Sequence, residues 1–276
     1  MKLLPIAPVL LGLCALPGQQ LPNQQLPNQE LPQWVLSLSR IKRQTRAELL
    51  RIPNYACLET IKRFHKPARG TVFKLTDTLR IEVALIGDRE LFAPEGATQF
   101  QDVDLSSLFT GGTIGTGAFT SIVRNLFVGD AGRTTGWGEE TLNGQRALWY
   151  SFAIPEMFKA YKVTSPTGSA YVAEDGKFWV DAQTLVLLRI EEHALDIPYS
   201  IGMREISNTI DYAKLPIGES LQLLPRTAET LVTESDGSQN RNITEFSNCR
   251  EYSSQSLIRF GPDDPDPQPP AAPKKK

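Results

Sequence analysis

Several chemistries lack their usual residues in this chain. It holds only two histidines, His65 and His193, far apart in sequence. His65 sits in a Lys/Arg-rich strand end and reads as exposed. His193 shares a strand face with Glu191, which suits a metal pair or an acid–base pair. No third ligand stands nearby, so a hydrogen-bonded surface cluster fits that spacing better. No Gly-x-Ser-x-Gly elbow occurs, and a hydrolase would need a dispersed triad that no local pattern marks. A net charge of −2 argues against a general nucleic-acid binder. Beyond the first residues, no apolar run is long enough to span a membrane. Strands do not alternate with helices, which argues against a parallel βαβ sheet. No catalytic residue, metal site or cofactor is assigned.

What is present begins with a leader. MKLLPIAPVLLGLCALPGQQ has one positive charge, a short apolar run and then small and polar residues. This reads as a secretory signal peptide over residues 1–18. Cys14 raises lipidation, but Leu13 stands before it where a lipoprotein signal needs a small residue. The expected location is therefore exported, periplasmic or extracellular, with a lipid anchor at Cys14 the lesser alternative. Residues 19–33 repeat LPNQ and are too rich in Pro, Gln and Asn to bury a core, so they read as a flexible spacer. Removal of the leader leaves Cys57 and Cys249. An even pair in an exported protein invites a disulfide from the first strand to the last, worth roughly 4–5 kcal/mol by loop entropy. Two separate buried thiols are the alternative.

Residues 34–260 read as one β-rich domain; 41% of the chain is hydrophobic and 22% charged, as in ordinary globular proteins. Trp34, Val35, Leu38 and Ile41 fall at helical spacing after Pro32. The polar face of this helix, with Arg40, Lys42, Arg43, Arg46 and Arg51, suits either a docked helix with a solvated side or peripheral contact with an anionic membrane. From Tyr55 the pattern turns to alternating β segments. GGTIGTG (residues 111–117) fits neither dinucleotide nor P-loop spacing and reads as a hinge. It leads into AFTSIVRNLFV, whose Phe119, Ile122, Val123, Leu126 and Phe127 share one helical face.

Asn143-Gly144 is the strongest hairpin signal, with Trp137 and Trp149 expected on facing strands. Trp137, Trp149 and Trp179 would suit a carbohydrate platform or, more simply, cross-strand packing. Glu174-Asp175-Gly176 reads as a turn into a central hairpin. There Phe178-Trp179-Val180 ends one strand and Asp181 to Thr184 make the turn. Leu185 to Glu192 return, with Leu187, Arg189 and Glu191 on one face and Val186, Leu188 and Ile190 on the other. Pro225 separates two short strands, and Ser256 to Phe260 suggest a last edge strand. Residues 261–276, GPDDPDPQPPAAPKKK, read as a disordered Pro-rich tail.

The fold class that follows is α+β, mainly β: a curved antiparallel sheet with an N-terminal helix and a mid-chain helical lid on its concave face. FWVDAQTLVLLRIE resembles the strand, Asp-x-x-Thr turn, strand hairpin of the periplasmic lipoprotein-carrier (LolA/LolB-like) half-barrels. YACLETIKR, GTIGTGAFTSIVRNLF and FSNCREY resemble a group of uncharacterised secreted bacterial proteins. The resemblance implies export, a half-barrel and an acyl-chain cavity. In the carriers an arginine on an inner strand holds the lid closed, and Arg80, Arg146 and Arg189 are candidates for that role.

The expected function is a non-enzymatic envelope protein sheltering a lipid or acyl chain. The ligand would meet Phe119, Ile122, Val123, Leu126 and Phe127 of the lid and Trp179 and Leu187 of the hairpin. A structural or interaction module that captures an envelope protein is the alternative, and a hydrolase using Glu191 and His193 the third.

Overall fold

The computed structural model describes residues 31–97, 118–129 and 131–252, together with Phe100, Leu105 and Gly115. The leader, the spacer to residue 30, the glycine-rich segment apart from Gly115, the 256–260 strand and the tail lie outside the described residues. By its contacts the chain divides after Pro32, and the β-rich fold belongs to the unit beginning at Gln33. Among the described residues it has two α-helices, α1 (Gln33–Leu49) and α2 (Ser121–Phe127). Eleven strands are found among the described residues. They are β1 (Tyr55–Lys66), β2 (Lys74–Ile86), β3 (Arg89–Pro94), β4 (Arg133–Leu142), β5 (Gln145–Ile154) and β6 (Tyr161–Ser165). The chain continues through β7 (Gly168–Asp181), β8 (Leu187–Leu195), β9 (Met203–Ile217), β10 (Ser220–Glu234) and β11 (Gln239–Glu251).

All pairings are antiparallel, in the order β3-β2-β1-β11-β10-β9-β8-β7-β5-β4, with β6 on the first half of β7. The sheet is open, as a half-barrel requires, with β3 and β4 at its edges. Its order is a meander interrupted once, where the last strand returns beside the first. The chain that leaves edge β3 and reaches edge β4 carries α2. Alternation of side chains gives the sheet an inner face, covered by α1 and α2, and an outer face. On β1 the inner residues are Tyr55, Cys57, Glu59, Ile61 and Arg63, all buried.

Tight turns set most of the register. Asn143 and Gly144 have φ of 50° and 84°, the positive pair that a two-residue hairpin demands. At the central hairpin Asp181 Oδ1 accepts from the amides of Gln183 and Thr184 and from the Thr184 hydroxyl. Leu185 then adopts φ 59°. A bulge pairs Trp179 with Arg189 and Val180 with Leu187. This corrects the face assignment read from strict alternation: Leu187 joins Ile190 inside, while Arg189, Glu191 and His193 face out.

Two other expectations change. Glu174-Asp175-Gly176 is not a turn but the middle of β7. A Cβ on Gly176 would stand 2.0 Å from the Glu191 carbonyl and 2.8 Å from the Phe152 ring, so this glycine serves close strand packing. Pro225 does not split β10 but sits at a bulge within it, where a missing N–H is tolerated.

α1 buries Ile41, Thr45 and Leu49 and packs Trp34 and Leu38 on the same core. Trp34 stacks on Trp137, with centroids 6.0 Å apart. Trp137 and Trp149 sit on facing strands, as the Asn143-Gly144 hairpin requires, but one residue out of line: Trp137 pairs with Tyr150, and Trp149 lies opposite Gly138 on the outer face. The basic side of α1 is partly engaged, since Lys42 reaches the Gly132 carbonyl at 3.4 Å and Arg46 that of Val128 at 3.1 Å. No described helix is long and apolar enough to cross a membrane.

Cys57 on β1 and Cys249 on β11 form a disulfide across the strand pair that joins the chain ends of the fold, 192 residues apart in sequence. It lies at a bulge, beside Asn248 with φ 51°. Because the closed loop is long, Cys249→Ser is expected to lower stability by about 5 kcal/mol. Urea unfolding with and without reductant measures this; an unchanged midpoint would mean the bond does not constrain the unfolded chain.

Candidate functional site

The inner face has two transverse rows, each made of residues directly opposite one another on successive strands. The apolar row runs Leu79, Ile61, Thr244, Ala228, Ile210, Ile190, Phe178, Tyr150 and Trp137 across nine strands. The next row is polar: Asp77, Arg63, Asn242, Thr230, Asn208 and Glu192, with Gly176 and Phe152 beyond. Arg63 grips Asp77 through two nitrogens, one at 2.7 Å. The Thr230 hydroxyl donates to Asn208 Oδ1 at 2.7 Å. Asn208 Nδ2 donates to Glu192 Oε1 at 2.8 Å and to the Tyr161 hydroxyl at 2.9 Å. Buried polar groups are tolerated when they satisfy one another in this way. The row separates the main core from a smaller apolar cluster of Val163, Val172, Ile201, Met203, Ile206 and Val232. Gly115 presses on the row: a Cβ there would stand 2.3 Å from Thr230 Oγ1. This glycine answers a close approach rather than a phosphate.

α2 lies over the apolar row and is held at its rim by polar clamps. Its N-cap residue Thr120 makes no side-chain cap bond of its own. Glu90 on edge strand β3 replaces it, accepting from the Thr120 and Ser121 amides at 2.9 Å each and from both hydroxyls. A carboxylate there satisfies amides that a helix start leaves unpaired and suits the helix dipole. Asp88 pairs with Arg124, whose guanidinium also comes within 3.5 Å of the Leu49 carbonyl at the end of α1. Arg46 of α1 in turn caps the Val128 carbonyl, and Asn125 donates to the Ala160 carbonyl at 3.2 Å. Beneath the clamps the helix is greasy: Phe119 packs on Tyr55 and Phe246, and Phe127 edges onto Phe178.

Under the first turn of α2 lies a void of about 10 Å³, lined by Tyr55, Tyr212, Leu49, Leu223, Phe119 and Val123 among others. That is about the least space that holds one water. The hydroxyls of Tyr55 and Tyr212 are enclosed and have no hydrogen-bond partner. An unmet buried hydroxyl costs about 1–3 kcal/mol. Burial, aided by the charge of Glu90, holds both phenols well above their ordinary range, so both remain protonated donors. Burial also pushes Glu59 up to about 8, reinforced by Glu90, and Glu174 up to about 7 against a hydrogen bond from Glu192 that lowers it. Glu192 itself is raised by burial and by the charge of Glu174. Both carboxyls are thus held above the ordinary carboxylate range by burial and by each other. A shallow hollow of about 480 Å³ opens near the far end of α2, lined by Lys42, Gly132, Arg133 and Phe158. Gly132 touches Leu126 so closely that a Cβ would meet it at 2.6 Å.

The structure brings six of the seven sequence-predicted residues together. Phe119, Val123, Leu126, Phe127 and Leu187 are buried in the main core, with Ile122 partly buried against it. Trp179 is not with them. It points to the outer face opposite Trp149 and donates to Glu140 at 2.7 Å, while Lys177 covers the Trp149 ring at 4.6 Å. None of the three candidate arginines reaches α2. Arg80 pairs with Glu95, Arg146 with Glu139 and Arg189 with Asp211, on outer or exposed positions. The inner-strand arginine is Arg63, and the lid is held instead by Glu90, Asp88, Arg46 and Asn125. Glu191 and His193 lie on the outer face, with His193 Nδ1 3.4 Å from Asp175. Among the described residues no group of three His, Cys, Asp or Glu is placed to hold a metal.

The sequence matches no protein-family model, and no curated protein is similar to it. Among solved structures, the fold is similar to a DUF1329 family protein from Desulfovibrio piger, at 13% identity over 79% of this chain and 92% of that one, with a TM-score of 0.43. It is also similar to the MucA/MucB complex of Pseudomonas aeruginosa, at 10% identity over 79% and 98%, with a TM-score of 0.19. A structure of MucB in complex with MucA(peri) gives 11% identity, 80% and 98% coverage and a TM-score of 0.18. Scores of this size carry no argument about the role of this chain, which rests on its own geometry.

Two expectations follow. Glu90→Ala removes four hydrogen bonds to the start of α2, two of them from its amides. Amide exchange of Ser121–Phe127 is expected to quicken about 10–100-fold while β9 and β10 keep their protection; equal protection in both proteins would show that Glu90 does not hold the lid. The second concerns Glu59, which folding raises from an ordinary 4.5 to about 8. The folded chain keeps this proton where the unfolded chain has lost it. Stability from this group is therefore full below about pH 4.5, falls as pH rises, and levels off above 8. Glu59→Gln removes that fall, so the variant's advantage in urea should widen by a few kcal/mol, as an order of magnitude, between pH 5 and 8.5. A difference that does not change with pH would place an ionised Glu59 inside the fold.

Proposed function

We propose that this protein is an exported, non-enzymatic shelter for a long acyl chain of a lipid or lipoprotein, with α2 as its lid. One observation carries the reading. Phe119 just before α2, with Val123, Leu126 and Phe127 within it, fills the inner face, yet the polar attachments of this segment lie at the rim. A segment seated in this way can leave the sheet and let a ligand take its apolar place. The disulfide supports an oxidising compartment outside the cytoplasm. The exposed Arg40 and Arg43 of α1 suit contact with an anionic membrane from which such a ligand would come.

The magnitudes select the ligand. Exposing four fully buried side chains of this kind costs at most about 6–12 kcal/mol, at roughly 1.5–3 kcal/mol each. Burying methylenes returns about 0.8 kcal/mol apiece, so about a dozen are needed to balance. Short chains cannot displace α2, whereas chains of membrane-lipid length can. A second reading, capture of an envelope protein, draws on Met157, Phe158 and Tyr171, exposed together at the end of β5 and the start of β7.

Native mass spectrometry of the mature chain, purified from a periplasmic fraction without detergent, tests the first reading. The expected result is an adduct of lipid mass that organic extraction removes. The stripped protein should then rebind acyl chains of about sixteen carbons but not of eight. A clean protein mass that takes up neither would end the shelter reading and leave partner capture.

A further inference from the structure

The two unpartnered phenols under α2 are the feature that the fold does not need. Tyr55 belongs to β1 and Tyr212 to β9, strands separated in the sheet by β11 and β10. Both nevertheless line one void, and neither hydroxyl finds an acceptor. Phenylalanine at either position would fill the same core without an unmet donor. With α2 seated, neither hydroxyl has an acceptor: Leu49, Leu223, Phe119 and Val123 are apolar walls, Arg124 is a donor only, and the Thr120 hydroxyl and the Glu90 carboxylate are engaged with each other.

We propose that this void is the carbonyl subsite of the acyl ligand, where Tyr55 and Tyr212 donate their hydroxyl protons to the carbonyl oxygen of an ester- or amide-linked chain. The proposal rests on the shelter reading and deepens it. It specifies the charge of the ligand as well as its shape. Carboxylates act on both phenols, and one cation, Arg124, lines the same void. Glu90 acts on both, Glu192 also acts at Tyr212, and Arg124 opposes Glu90 at Tyr55. A neutral carbonyl, which accepts two hydrogen bonds through its two lone pairs, fits there. A free carboxylate meets Glu90 at close range in a low-dielectric site and is disfavoured. The chain attached to that carbonyl then runs along the face that Val123, Leu126 and Phe127 now cover, toward the hollow beside Gly132.

The test compares methyl palmitate, N-methyl palmitamide, free palmitate and octadecane, each delivered from cyclodextrin to the stripped protein, with Tyr55→Phe/Tyr212→Phe as the variant. The ester and the amide should bind at least tenfold more tightly than octadecane and than palmitate. The double variant should lose that margin while holding octadecane within about twofold of wild type. Its melting temperature should be equal to or above that of wild type, because only unmet hydroxyls are removed. A lower melting temperature would mean that the hydroxyls are already satisfied by a bridging water, and would overturn the proposal. Equal binding of ester and octadecane by wild type would overturn it too while leaving the shelter reading in place, as would preference for the free acid. Failure of all four ligands to bind would remove the shelter reading and the subsite together.

Discussion

The pairing of β11 with β1 is the constraint on which the rest depends. Every row of the inner face crosses that seam: Ile61 meets Thr244 in the apolar row, and Arg63 meets Asn242 in the polar one. A one-residue slip there would turn Ile61 outward and set Lys62 into the core. The register of so late a contact cannot be fixed by a turn, because nearly the whole fold lies between the two strands. It is fixed by side chains instead. The disulfide pins one end, and the His65 ring meets Asn240 at 3.0 Å toward the other. Long-range pairing of this kind forms late and slowly, which makes a covalent tie between first and last strands useful during folding as well as after it.

An open sheet of eleven strands leaves its inner face as an apolar surface needing cover. α1 covers one part permanently, through Trp34 stacked on Trp137 and Ile41 buried at the centre of the contact. α2 covers another part differently. It is too short to be stable alone, since a helix of seven residues is below what isolated sequences sustain in water. Its existence depends on Glu90 at its start, Arg46 at its end and the sheet beneath. Removing it from the sheet therefore melts it, and the seven residues become free chain. The conformational entropy so gained offsets part of the cost of exposing Phe119 and Phe127.

The sequence carried the local turns and concealed the transverse order. Asn143-Gly144 and the Asp181 to Thr184 turn were readable because the side chains and dihedrals that make them lie within a few residues. The helical face from Phe119 to Phe127 was readable by its period. The polar row was not. Asn208, Thr230 and Asn242 each look like an isolated polar residue on a strand, and only the register puts them in line. That register is shifted by bulges at Ala56/Leu58, Trp179/Val180 and Pro225/Thr227, each invisible to strict alternation. The bulge on β8 moves Leu187 inside, whereas Trp179 faces out by the regular alternation of Phe178 and Val180 around it. The lid arginine was sought on inner strands by resemblance, whereas the clamp is mainly a carboxylate, Glu90, on an edge strand. Glu90 opens the short strand segment Glu90 to Ala93 after the Gly87-Asp88 turn, where nothing local marks a helix clamp.

The buried acids and phenols give the inner face a consistent chemical character. Glu59, Glu192, Tyr55 and Tyr212 all lie where burial penalises the charged form, and each is held above its ordinary range. The cations nearby are committed to carboxylates: Arg63 to Asp77 across the strand pair, and Arg124, which lines the void, to Asp88. The donors left without an acceptor there are the two uncharged phenols. Donors without charge distinguish acceptor-bearing neutral molecules from ionised ones, because an uncharged donor returns too little to offset the desolvation of a full charge. On the proposed reading, the part of the ligand that enters would be uncharged, and a charged head group would stay at the open hollow that Lys42 and Arg133 line.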